Sequence, residues 1–142
     1  MQALRVLYRV GAGILFAAVL VQIGAAGYGA FYAAHKLHHK GTTLPHKSFD
    51  HGFDFHQGFG YIIVIIAVVV FLLALVARLG RRQVLMALAA PALVIVAIAL
   101  ADGGESSSAV IGIFHPIVAF LIFGLTGTLA HHAWRGSRAW TP

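Results

Sequence analysis

FHQGFGYIIVIIAVVVFLLALVA, residues 55–77, holds no charged side chain; Asp54 precedes it and Arg78 follows it. As α-helix it rises about 34 Å, enough to cross ~30 Å of hydrocarbon. A helix is the expected form, because backbone groups left unpaired in lipid cost several kcal/mol each. Outward from this segment the same pattern recurs over residues 10–34, 84–101 and 109–133, each near or above the length a crossing needs. Pro91 inside the third predicts a kink there. The sequence therefore reads as one all-α domain, residues 1–142, built as an integral membrane four-helix bundle running up-down-up-down.

Composition agrees. Of 142 residues, 60% are hydrophobic and 10% charged, with mean hydropathy +0.88, whereas soluble domains carry about 25% charged residues. The formal net charge is +6, but the basic residues flank apolar spans, where they set topology and meet anionic headgroups. That placement argues for a lipid bilayer as partner and against nucleic acid. With no cysteine, disulfides, iron–sulfur clusters and covalent haem attachment are excluded. Arg5 and Arg9 before an apolar run resemble a signal peptide, yet the run is long for one, so it reads as a retained first helix.

The loops give the orientation. Arg5, Arg9, Arg78, Arg81, Arg82, Arg135 and Arg138 lie on one side with no acid among them; Lys36, Lys40, Lys47, Asp50, Asp54, Asp102 and Glu105 lie on the other. The positive-inside bias puts both termini in the cytoplasm of a multi-pass protein of the cell membrane.

Nine histidines in so apolar a chain call for an explanation. His35, His38, His39, His46, His51 and His56 fall at or beyond the outer face, and His131 and His132 at the inner end of the fourth span. His115 sits about two turns into that span, and an ionisable residue at such depth calls for a partner. His56, near the start of the second span, is the candidate. Spans two and four run parallel and sit diagonally in such a bundle, so two inward imidazoles can ligate one haem iron from both faces. Gly60 lies four residues after His56, Gly112 three before His115 and Ala119 four after it, on the same helix faces. These small residues leave room for a flat ring. Pro116 disfavours helix at His115 and would aim its imidazole inward. Lys40, Lys47, His51 and Ser106 to Ser108 lie on the side where haem propionates would emerge.

His35 and His39, at i and i+4, also allow a metal ion in the first loop, though interspersed lysines oppose a cation. An interfacial or partner-docking loop is the plainer reading. His131 and His132, beside Trp134 and Arg135, read as an interfacial anchor. No span holds a carboxylate, and neither a phosphate-cradling loop nor a Ser/His/Asp set is present.

His56-Gln-Gly-Phe-Gly opening one span, then a basic turn, a third span, a polar outer loop and Phe114-His115-Pro116-Ile-Val-Ala, resembles one four-helix half of the heme A synthase family, and more loosely the small four-helix b-type cytochromes. The resemblance covers residues 55–134, with the first helix matched only in kind. It implies haem-ligand roles for His56 and His115. The catalytic half of that family has a glutamate three residues before the first ligand and a basic residue just after it; here Phe53 and Gln57 stand there, with Asp54 nearby. The resemblance thus implies haem binding rather than oxidation of a haem methyl group. The sequence as a whole points to a membrane protein holding one heme b between His56 and His115, an electron carrier or haem handler more than a catalyst. Other membrane redox subunits or a second copy are its candidate partners. The alternative is a cofactor-free accessory subunit whose outer loop docks a partner or binds a metal ion.

Overall fold

The computed structural model describes residues 1–40 and 46–135, apart from the side chains of 39, 40 and 46–48. Those residues are helical almost throughout: α1 Gln2–Lys40, α2 His46–Val76, α3 Arg81–Ser106, a single turn α4 Ala109–Gly112, and α5 Phe114–Arg135. Four stretches are long and apolar enough to cross a membrane, α4 and α5 together forming the fourth. The chain is a multi-pass membrane protein.

Two helices are longer than their apolar runs suggest. α1 has 39 residues, about 58 Å of helix against ~30 Å of hydrocarbon. α2 begins at His46, nine residues ahead of the expected start at Phe55. Most of the expected first loop is therefore helix that continues the spans.

The helices close into a ring in which α1 packs on α2 and α5, and α3 packs on α2 and α5. α2 and α5 are diagonal, as are α1 and α3. The centre is rich in alanine: Ala12, Ala67, Ala74, Ala87 and Ala90 are fully buried. In lipid no hydrophobic drive pulls apolar helices together, so association rests on close backbone approach, which small residues permit. Leu15, Val70 and Leu129 fill the remaining space, while Phe31 and Phe120 are 79% and 74% exposed, as suits side chains facing lipid tails.

Three glycine contacts fix where the helices cross. A Cβ on Gly29 would lie 2.7 Å from the Phe53 ring and 2.9 Å from the Gly52 carbonyl, clamping α1 to α2. A Cβ on Gly104 would lie 2.6 Å from Gly112 Cα, bringing the end of α3 onto α4. Gly11 meets Val70 in the other half of the α1–α2 seam.

The turn from α2 to α3 is short because α2 ends in a Schellman motif: Leu79 N–H donates to Ala74 O (3.1 Å) and Arg78 N–H to Leu75 O (3.0 Å). Arg78 takes the left-handed position, with φ 51°. Pro91 sits inside a continuous α3 and is buried. At the other end, Ser108 caps α4 by accepting from Val110 N–H at 3.3 Å. The helix is interrupted at Ile113 and restarts at Phe114, so Pro116 falls in the first turn of α5, where a missing N–H leaves no hydrogen bond unmade.

Candidate functional site

His56 and His115 meet in the middle of the ring. Their imidazole centroids are 6.1 Å apart, with ring planes at 75°. The early start of α2 explains why they share a level: His56 lies ten residues inside α2, not at its mouth. His115 is in the first turn of α5 and is itself helical. The expected loss of helix at His115 does not occur; the break falls two residues earlier, at Ile113, and Pro116 starts the helix instead of bending it.

Each ring is held from behind. His115 Nδ1 lies 2.7 Å from Ala97 O on α3, and His56 Nδ1 lies 3.2 Å from Gln22 O on α1. A carbonyl oxygen only accepts, so both Nδ1 atoms carry a proton; in a neutral imidazole Nε2 then keeps its lone pair. A second carbonyl lone pair serves each bond without breaking the helix ladder. This is how a ligating histidine is usually oriented: one nitrogen is tied to a carbonyl, the other is left for a metal.

Gln22 completes the frame. Its Nε2 donates to His56 O at 2.7 Å, so backbone and side chain of one α1 residue grip one α2 residue from both directions. Gly60 makes room for that amide: a Cβ there would stand 3.3 Å from Gln22 Nε2. Gln22 Oε1 is buried and has no hydrogen-bond partner among the described residues. An unpaired buried acceptor costs about 1–3 kcal/mol, so the clamp is kept at some expense to stability.

The two histidines and Gln22 line a cavity of about 240 Å³ whose other walls are apolar, among them Val19, Ile63, Val94 and Ile122. Gly60, Ala97 and Ala119 contribute its small-residue surfaces. Ile23 on α1 and Phe120 on α5 both line it and are exposed, so the cavity opens between α1 and α5 to the lipid side. An apolar cavity with a few convergent polar groups is the usual form of a cofactor or ligand site.

Of the five residues expected from sequence, His56, His115, Gly60 and Ala119 come together here. Gly112 does not line the cavity; it packs on Gly104. It positions the helix that carries His115 and leaves no space beside the ring. Gln22 and Ala97 were not singled out. Gln22 is detectable as the lone amide in the first apolar span; Ala97 holds His115 through its backbone carbonyl, which no sequence signal marks.

The outer residues have local roles. His51 Nδ1 lies 3.2 Å from Asp54 Oδ2 and its ring meets Tyr32 edge-on. Ser106 Oγ donates to Asp102 O at 2.7 Å. Lys40, Lys47, His39 and His46 have side chains outside the described set. Among the described residues no three or more of His, Asp and Glu gather as a metal site. At the other end Arg9 stacks over Trp134 at 5.3 Å, while His131 and His132 are exposed and face each other edge-on.

Two imidazoles 6.1 Å apart, each with Nδ1 on a backbone carbonyl and with apolar walls around them, are a pair that could hold a single metal centre between their Nε2 atoms. With each nitrogen about 2 Å from a shared iron and about 1 Å from its ring centre, the centroids would stand roughly 6 Å apart, which agrees with the spacing found. No family model, curated protein or solved structure matches the chain.

Proposed function

We propose that this protein is a b-type membrane cytochrome, with one heme b ligated by Nε2 of His56 and of His115. One observation carries the reading: the 6.1 Å imidazole pair, each ring with its Nδ1 on a backbone carbonyl. Gln22 and Ala97 set the tautomers; Gly60 and Ala119 leave the cavity wall low beside the ligands. A porphyrin is larger than the enclosed space, and the opening between α1 and α5 is where its edge has room. A bound haem would supply one-electron redox chemistry, its potential tuned by the two imidazoles, their carbonyl partners and the apolar walls. Among the described residues no carboxylate or further ionisable side chain lines the cavity, which favours electron transfer or haem handling over catalysis.

The pairings of Gly29 with Phe53 and Gly11 with Val70 support antiparallel neighbours and hence an up-down-up-down bundle. The arginines at Arg5, Arg9, Arg78, Arg81, Arg82 and Arg135 support cytoplasmic termini in the cell membrane. The resemblance to half of a heme A synthase points to the same ligands.

The test is direct. The protein is produced in cells supplied with haem, purified in detergent, and its haem-to-chain ratio and visible spectrum are measured. One haem per chain, with a low-spin spectrum that sharpens on reduction, is expected. A colourless protein that also fails to take up added haem rejects the reading.

A further inference from the structure

At the end of the bundle away from the histidine pair, a shallow groove runs between α3 and α5. Arg82, Leu85, Met86 and Ala89 follow one another along α3 at helical spacing, Arg81 stands beside them, and Leu125 forms the far wall from α5. The spacing places the arginines at the end of the helix and Ala89 about 10 Å further along it. Ala89, with no more than a methyl group, gives the groove its depth.

We infer that this groove binds an anionic phospholipid, its phosphate on Arg81 and Arg82 and an acyl chain along Leu85, Met86 and Ala89. The argument is charge complementarity at a fixed depth. Both guanidiniums are exposed, and among the described residues neither has a hydrogen bond or ion pair. The four carboxylates that could neutralise them, Asp50, Asp54, Asp102 and Glu105, lie at the opposite ends of α2 and α3. Arginine presents a planar fork that suits phosphate, and basic pockets between membrane helices are common lipid-headgroup sites. The span from charged mouth to apolar floor follows the shape of a lipid, with head and tail in the right order. A second copy of this chain fits less well, since a two-fold contact through the groove would bring both pairs of arginines together. The inference is independent of the haem reading, and no histidine takes part in it.

The experiment is native mass spectrometry of the detergent-purified full chain, equilibrated with equal amounts of phosphatidylglycerol and phosphatidylcholine of the same acyl composition. Wild type should retain phosphatidylglycerol in preference by on the order of tenfold at low salt. Arg81→Gln/Arg82→Gln should bring that preference near unity, with helicity unchanged because both side chains are exposed. Ala89→Trp should also release the lipid, by filling the groove while both arginines remain. Arg5→Gln, a charge change on α1, should leave the preference intact. Equal retention of the two lipids by wild type overturns the inference. So does a loss with Arg5→Gln equal to that with Arg82→Gln, which would make the effect one of general surface charge. Displacement of the lipid by inorganic phosphate at equal concentration would assign the arginines to a free anion and reject the lipid. A dimer that dissociates with Ala89→Trp would make the groove a contact between copies, and reject it too.

Discussion

The imidazole of His115 can donate to the Ala97 carbonyl in only one of its neutral tautomers, and that tautomer leaves Nε2 free. His56 is fixed in the same sense by Gln22 O. Both rings therefore face the cavity with a lone pair, and removing either ring should empty one axial position. His115→Gly should give a five-coordinate haem, and added imidazole should restore the six-coordinate spectrum; an absorption titration reads both states. Failure of imidazole to change the spectrum of a folded, haem-loaded variant would show that His115 is not a ligand. Gln22 makes a finer case. Gln22→Leu loses a hydrogen bond worth about 0.5–1.5 kcal/mol net, and also removes a buried orphan oxygen that costs about 1–3 kcal/mol. The two changes oppose, so the haem-free protein should range from nearly unchanged to stabilised by about 2 kcal/mol in thermal unfolding, while the potential of the haem form should shift because His56 is less firmly held. A large loss of stability would mean that Gln22 Oε1 has a partner. The pair was legible in the sequence because a histidine so deep in an apolar span has few other reasons to be there. The carbonyl partners were not, since backbone acceptors are alike at every position.

At the level of helices, the level of His115 depends on the Gly104–Gly112 contact. A methyl group on Gly104 would sit 2.6 Å from Gly112 Cα and 2.9 Å from its nitrogen, and backbone on both sides leaves nothing flexible to give way. Gly104→Ala should cost about 1–3 kcal/mol and move α4 and α5, lowering haem affinity without touching a ligand; haem titration with thermal unfolding checks both. Arg78 presents the opposite case. It holds the αL position of the α2 cap at φ 51°, where glycine carries no side-chain penalty. Arg78→Gly should be neutral or stabilising by up to about 1 kcal/mol, and Arg78→Val destabilising by about 1–2 kcal/mol, as measured by unfolding in detergent. The apolar runs fixed four spans in the sequence but not their ends. Hydropathy reports where lipid begins, whereas α1 and α2 continue as helix through Lys36, His51 and Asp54 beyond the apolar runs. The break at Ile113 was hidden for a related reason: Pro116 is an evident helix breaker, but in the first turn it is also a good helix starter.

For the molecule as a whole, the ring of helices with α2 and α5 on the diagonal lets His56 and His115 approach each other across the centre. The bundle also separates its charges, with every carboxylate at one end and Arg81 and Arg82 at the other. A reporter fused after Pro142 should accordingly behave as a cytoplasmic one, and periplasmic or extracellular activity would overturn the charge argument. In the proposed function one iron joins α2 to α5 through His56 and His115. The most direct measurement is the electron paramagnetic resonance spectrum of the oxidised, purified protein beside its His56→Ala and His115→Ala variants. The wild type should give a low-spin ferric signal from two imidazole ligands, replaced in each variant by a high-spin signal or by loss of haem. A low-spin signal that survives unchanged in either variant would contradict that assignment.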